Sequence, residues 1–167
     1  MNEKRTTFNT KIGPVMLAWT DKGISKVKLP NTPALQISPD TKEERPPQWV
    51  SLAAEKIKKH LNGEPQQYDD VPLDMQEVTP FNKKVYEALR RLPSGAVITY
   101  GDLAARAGSR GAARAVGHAM AVNPLPIVVP CHRVVRSDGT LGQFSALSGT
   151  KSKRQLLEME GCTFEES

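Results

Sequence analysis

Between Val78 and Thr79 the chain changes character, and that break constrains its fold more than any other feature. Residues 1–78 carry 11 Lys+Arg against 11 Asp+Glu; residues 79–154 carry 12 Lys+Arg against only Glu87, Asp102 and Asp138. Strand-like patterns dominate the first part and helical ones the second. A chain of 167 residues suffices for two small units sharing an interface. The expected division is 1–78 and 79–167. A neutral unit beside a basic one suggests that the basic one meets a polyanion such as nucleic acid.

In the first unit, residues 7–18 read as two short strands around a Gly13-Pro14 turn. Residues 24–29 alternate as a half-buried strand does, after an Asp21-Lys22-Gly23 turn. Residues 30–47 read as a loop. Trp49 to Leu61 has helical spacing, with Val50, Ala53, Ile57 and Leu61 on one face. Residues 66–78 are expected to form a last edge strand. In the second unit, Thr79 is the expected N-cap of a helix with Pro80 at its first position and Phe81, Val85, Leu89 and Leu92 along one face. A strand over 96–100 follows. Two short helices over 101–107 and 112–122 then flank a Gly108-Ser109-Arg110-Gly111 turn, in the manner of a helix-turn-helix.

The second of these helices is built from Ala112, Ala113, Ala115, Gly117 and Ala119, with Arg114 and His118 four residues apart on one face. Small side chains serve either tight packing within the protein or close approach to a groove. With few long polar side chains to read base edges, the second use implies sequence-tolerant binding from the minor-groove side.

The two cysteines, Cys131 and Cys162, form no CxxC pair, and His60, His118 and His132 are scattered, so no structural metal is expected. Ile127 to Val129 reads as a buried strand that Pro130 ends, presenting Cys131 beside His132. A reactive cysteine needs a base to make its thiolate, and that base needs a third group to orient it. In a plain strand Cys131 and His132 would face opposite ways, so a turn or a bridging water is required. Taken alone, the pair also fits a buried cysteine beside a surface histidine.

Five segments in order resolve that ambiguity by resemblance. Ile127-Val128-Val129-Pro130-Cys131-His132-Arg133-Val134-Val135 resembles the active-site signature of the O6-alkylguanine-DNA alkyltransferases. Thr99 to Ala104 is similar to that family's helix-turn-helix entry, Ala112 to Gly117 to its recognition helix, Asn123-Pro124 to its following turn, and Leu156 to Gly161 to its C-terminal helix end. The resemblance implies an α+β fold: a small N-terminal α/β domain of ribonuclease H-like type and a C-terminal winged-helix-like domain that binds DNA and holds the active site. It implies direct-reversal repair without a cofactor, in which O6-alkylguanine is flipped from double-stranded DNA and its alkyl group moves irreversibly to Cys131.

By the same resemblance His132 is the base, acting through a water, and Glu160 orients it, with Glu158 the competing carboxylate. Asn123 braces the turn, and Tyr100 helps rotate the nucleotide and donates a proton to guanine. Arg114 enters the duplex, with Ala113, Gly117, Tyr100 and Ser137 as further DNA contacts. Val134, Phe144 and Ser145 bind the flipped base. Phe144 stands where many relatives have tyrosine, and the loop from Ser145 to Ser152 is about two residues longer than in some relatives; Lys153 after it matches a pocket lysine. Cys162 has no catalytic counterpart.

Two other readings use the same residues: a non-catalytic alkyl-damage recognition protein, disfavoured by the presence of Cys131, and a cysteine hydrolase, disfavoured by the adjacency of Cys131 and His132. A plain winged-helix DNA binder with an incidental thiol is a third. No apolar run approaches the ~20 residues needed to span a bilayer, and no signal-peptide pattern follows Met1. The expectation is therefore an intracellular protein with no membrane partner, cytoplasmic or nucleoid-associated in a prokaryote and nuclear in a eukaryote; separately, it is expected to be a monomer. Cooperative assembly on DNA is left open.

Overall fold

The computed structural model describes residues 3–30, 41–138, 140 and 150–162. Strands β1 (Lys4–Thr10), β2 (Gly13–Thr20) and β3 (Gly23–Lys28) form an antiparallel meander. The turn expected at Gly13-Pro14 lies two residues earlier. Thr10 pairs with Gly13 across a hairpin whose loop is Lys11-Ile12, and the Thr10 hydroxyl donates to the Gly13 carbonyl at 2.7 Å. Pro14 therefore sits at the start of a strand, where its missing N–H is tolerated.

The apolar residues of β3 are not strictly alternating, because Ile24 and Val27 are three apart, yet both are fully buried. The register explains this: Trp19 pairs with Ile24 and Ala18 with Lys26, which leaves Ser25 as the extra residue of a bulge. The fourth strand is not 66–78 as the sequence suggested. It is β4 (Lys42–Glu43), inside the stretch read as a loop, and it runs parallel to β1 to give the order β3-β2-β1-β4. Residues 66–78 make only a single bridge, Leu73 to Ile24. Pro72 interrupts them, and the turns closed by Val71 N–H to the Tyr68 carbonyl and Val78 N–H to the Met75 carbonyl break any longer ladder. Gly23 (φ +154°) is required at this seam, since a Cβ there would lie 2.5 Å from the Pro72 carbonyl oxygen.

Helix α1 (Gln48–Leu61) buries Val50, Ala53, Ile57 and Leu61, the predicted face, and His60 with them. Helix α2 (Pro80–Arg90) starts as expected, with the Thr79 hydroxyl accepting from Asn82 N–H. Strand β5 (Ile98–Thr99) leads into α3 (Tyr100–Arg106), which Thr99 caps, and α4 (Ala113–Ala121) packs against α3 as the second half of the helix-turn-helix. The chain then passes through a 3-10 turn (Cys131–Arg133), strand β6 (Val134–Val135) parallel to β5, and α5 (Thr150–Met159). No helix of the described residues is long and apolar enough to cross a membrane.

Buried side chains of both halves join in one cluster, from Leu17 and Ile57 to Leu103 and Val129. A backbone bond and side-chain bonds to backbone carbonyls cross the seam as well. Val27 N–H donates to the Pro124 carbonyl at 2.8 Å, and Arg90 donates to the carbonyls of Tyr68 and Val71.

Candidate active site

The approach to Cys131 is a turn, where a strand was expected at Ile127 to Val129. Val129 N–H bonds back to the Leu125 carbonyl at 2.7 Å, and Ile127 is held at φ +73°, a conformation costly for a β-branched residue. Three prolines in the stretch 124–130 leave too few N–H groups for a ladder, so the chain reverses. The apolar run is nonetheless buried throughout, because the turn is packed inside. Asn123 braces it from both ends: its side-chain amide donates to the Val129 carbonyl at 3.0 Å and its oxygen accepts from Leu125 N–H at 2.9 Å.

Cys131 and His132 therefore lie on a 3-10 turn and not on a strand. Cys131 is 4% exposed. Burial pushes its thiol up to about 11, against the opposing pull of a hydrogen bond from Asn123 and the charge of Lys153. The resting thiol is thus protonated at neutral pH, and nucleophilic use of it requires a base. Burial holds His132 below its ordinary 6.5, outweighing the carboxylate beside it, so its ring is neutral and able to accept a proton.

That carboxylate is Glu160. Helix α5 ends just before it in a Schellman motif: Gly161 adopts φ +91° and Cys162 N–H reaches the Leu157 carbonyl. The turn swings Glu160 inward. Glu158 stays outside and pairs with Arg154, so the geometry brings Glu160 and not Glu158 to the histidine. Glu160 Oε2 lies 3.0 Å from His132 Nε2, 2.7 Å from Arg133 Nη2 and 2.7 Å from His60 Nε2, and Oε1 accepts from Arg133 Nε at 2.8 Å. Burial alone would raise this carboxyl. The hydrogen bonds from Arg133, His132 and His60 overcome that and hold it far below the usual carboxylate range. It is an anion in the interior, balanced by the Arg133 guanidinium, which also donates to the Leu92 carbonyl at 2.8 Å.

The donor atoms of His60, His132 and Glu160 lie within 4.8 Å of one another, a grouping that resembles a metal-ligand set. The guanidinium already occupies the shared carboxylate oxygen, so an added cation would meet repulsion and a crowded ligand. His60, His132 and Arg133 thus engage the Glu160 carboxylate through an ion pair and hydrogen bonds.

Neither His60 nor Arg133 was assigned a role from sequence. The stripe Val50, Ala53, Ile57 predicts burial at 60 by its spacing, so His60 was readable as an interior histidine, though its partner 100 residues away was not. Arg133 was counted among the basic residues of 79–154 and within the Ile127 to Val135 segment, and it is 4% exposed.

Around this core stand the other candidates. Tyr100, at the start of α3, is half-buried, and burial raises its hydroxyl above the usual range. The ammonium of Lys153 lies 5.8 Å from the centre of the Tyr100 ring. Lys153 is 1% exposed, and burial lowers it to about 8. Val134 follows the 3-10 turn, fully buried, and its N–H closes that turn on the Cys131 carbonyl. Ser137 is exposed. Phe144 and Ser145 lie outside the described residues.

Arg114, Ala115 and His118 form an exposed strip on α4, with Ala113 and Gly117 half-buried beside it. Gly117 separates the two explanations for the small residues. No atom among the described residues lies within 4 Å of where its Cβ would be, so internal packing does not call for a glycine there. The position is open toward the outside, as a helix that approaches a groove closely requires.

Comparison with known proteins identifies relatives of this chain. A family model described as the DNA-binding domain of 6-O-methylguanine DNA methyltransferase matches residues 80–162. The methylated-DNA–protein-cysteine methyltransferase of Methanothermobacter thermautotrophicus is 34% identical over 149 residues, spanning 89% of this chain and 80% of the relative. Its namesake from Methanosarcina acetivorans is 36% identical over 160 residues, 92% of this chain and 96% of the relative. Among solved structures, Mycobacterium tuberculosis OGT in complex with DNA superposes with a TM-score of 0.81 at 33% identity, covering 94% of this chain and 92% of that one.

Proposed function

The chain belongs to the 6-O-methylguanine DNA methyltransferase family, and from that premise we propose that it repairs alkylated DNA by direct reversal, as a methylated-DNA–protein-cysteine methyltransferase. The acceptor is Cys131 Sγ and the donor is O6-alkylguanine in duplex DNA. The observation that carries this reading is the buried relay in which an ionised Glu160 holds a neutral His132 beside a protonated thiol.

The ionised carboxylate can only accept, so His132 carries its proton on Nε2 and Nδ1 is its basic nitrogen. Through a water, Nδ1 takes the proton of Cys131. The thiolate attacks the alkyl carbon, the S–C bond forms as the C–O6 bond breaks, and the electron pair leaves with the guanine. Tyr100 gives that guanine a proton at N3 and is reprotonated from His132 through solvent. The net change is that the thiol proton and the alkyl group exchange places. The thioether has no leaving path, so each molecule acts once.

A paired O6 is out of reach of a thiol inside the protein, so the nucleotide must be flipped, at a cost of a few kcal/mol. Arg114 fills the gap in the stack, while Ala113, Gly117 and Ser137 lie along the duplex. Val134, Phe144 and Ser145 hold the extruded base. The sheet order with β4 parallel to β1, backed by α1, supports a ribonuclease H-like unit over 1–78, and α3–α4 with β5–β6 supports a winged-helix-like unit over 79–167. The protein acts as a monomer.

The test is mass spectrometry after incubation with duplex DNA containing O6-methylguanine. The peptide holding Cys131 is expected to gain one methyl, and an unchanged peptide would sink the reading. Cys131→Ala is expected to keep DNA binding and lose repair, and added salt to weaken binding broadly.

A further inference from the structure

His60 stands outside the nucleophile–base–carboxylate series, on α1 of the other half of the molecule, yet it touches the carboxylate at 2.7 Å and is 1% exposed. We propose that His60 is a positioning residue for the transfer reaction: it donates to Glu160 Oε2 and so fixes where that oxygen meets His132. The proposal rests on the functional reading above.

The protonation pattern follows from donors that have no choice. Gln66 N–H donates to His60 Nδ1 at 3.2 Å, and a backbone N–H cannot accept. Nδ1 is therefore the acceptor, and Nε2 carries the hydrogen toward Glu160. The Tyr68 hydroxyl stands 3.1 Å from the same Nδ1, and its ring stacks on His60 with centroids 5.8 Å apart, which holds the imidazole in plane. His60 is thus a neutral, oriented donor, and Arg133 supplies the compensating charge.

Three donors from two segments converge on one oxygen: His60 from α1, with His132 and Arg133 from the 3-10 turn. The His60 and His132 rings meet edge to face with centroids 6.4 Å apart. The groups facing His60 are therefore Tyr68, Gln66 N–H, Glu160, His132 and Arg133, and the only anion among them is Glu160.

Two consequences are separable. His60 locates Oε2, so its loss lets the carboxylate turn toward Arg133 and leaves His132 poorly oriented. His60 also draws electron density from Oε2, so its loss strengthens the remaining pull of Glu160 on His132 Nε2–H. His132 then protonates at higher pH and stops acting as a base sooner as pH falls. A role confined to packing the two halves together would move neither quantity.

The experiment measures single-turnover methyl transfer from O6-methylguanine duplex across the pH range, for the full-length parent, His60→Gln and His60→Phe. Each rate is normalised to the fraction of Cys131 alkylated at the endpoint, which removes inactive molecules. Gln places an amide N–H near the position of Nε2, and Phe keeps the bulk without the donor. We expect His60→Gln to stay within about twofold of the parent, and His60→Phe to lose about tenfold on the plateau, the scale found when a group orienting a catalytic ligand is removed. The acid limb of His60→Phe should also move to higher pH.

An unchanged normalised rate and acid limb in His60→Phe, whatever its melting temperature, overturns the proposal. Nitrogen-15 NMR of the imidazoles in the parent decides independently of any variant's folding. A proton on His60 Nε2 is expected, and a proton on Nδ1 would overturn the assignment. Failure of the parent to alkylate Cys131 would instead overturn the functional reading.

Discussion

Lys153 is a buried cation whose removal should make the protein more stable and less active. It is 1% exposed and held near 8, against an ordinary 10.5. That difference corresponds to about 3 kcal/mol lost from the charged form. The unfolded chain holds this proton up to about 10.5 and the folded protein only up to about 8, so between those values the unfolded state binds more protons and stability rises with pH. Below about 8 the penalty is present in full. Lys153→Met keeps the length of the side chain and removes the charge. Against the ~3 kcal/mol regained stands the contact of the ammonium with the Tyr100 ring at 5.8 Å, worth roughly 0.5–2 kcal/mol. The expected net gain is about 1–2 kcal/mol at neutral pH.

The activity should move the other way. The charge of Lys153 is one of the influences that lower the Cys131 thiol, so without it the thiol rises above about 11 and transfer slows. One pKa unit corresponds to about tenfold. The assay pairs urea unfolding at about pH 7 and pH 9 with single-turnover transfer from a methylated duplex. The window stops near 9 because unfolded thiols begin to ionise there, and Cys131, raised on folding, then works in the opposite sense. Across it the parent should gain about 1 kcal/mol from Lys153, and Lys153→Met should lack that gain. A variant less stable than the parent at neutral pH, or one with the same slope between the two pH values, would falsify the assignment of Lys153 as a buried, penalised cation.

Three further outcomes are expected. Gly117→Ala should stabilise the protein by about 1 kcal/mol, the helix-propensity difference, because its Cβ meets nothing within 4 Å; in a DNA titration the same methyl should weaken binding by standing on the approaching face. Glu160→Gln leaves Arg133 charged and buried without its anion, so chemical denaturation should report a loss of about 3–5 kcal/mol. His132 is lowered on folding and must be neutral to act, so the transfer rate should hold through 6.5 and fall only at lower pH as the ring protonates; a midpoint above 6.5 would contradict the burial-dominated environment.

What was legible in the sequence was what local chemistry decides. Helices α1 and α2 announced themselves through one apolar stripe each, and the Thr79-Pro80 start of α2 is a cap whose partners lie three residues apart. The helix-turn-helix is similarly short in range. The errors came where the decision belonged to distant partners. The pattern Ile127 to Val129 has strand composition, but the ladder it would need is not available to a segment closed by Val129–Leu125 and Asn123 bonds. Residues 66–78 have strand-like apolar spacing, yet Pro72 offers the neighbouring edge only one bridge, and the two-residue β4 takes the far edge beside β1. The order of Cys131 and His132, and the need for a turn or a bridging water there, were visible, but the inward fold of Arg133 onto Glu160 involved an anion 27 residues downstream.

The seam between the halves changes how the site is best understood. The nucleophile, the base, the carboxylate and the basic helix all come from residues beyond 79, so a chain starting there holds every group named in the transfer step. Two of the bonds that hold the site come from the other side. Val27 N–H fixes the Pro124 carbonyl next to the turn that Asn123 braces, and His60 completes the donors on Glu160. A buried carboxylate tolerates its desolvation only while its lone pairs are satisfied. Losing His60 would remove one of four donor contacts from the group on which His132 depends. Burial of the site raises the thiol and lowers the histidine, which together produce a protonated nucleophile beside a neutral base. That burial is itself supplied in part by α1 and the sheet. The neutral half of the chain, which charge alone would assign to scaffolding, thus contributes to the acid–base state of the cysteine that the basic half carries.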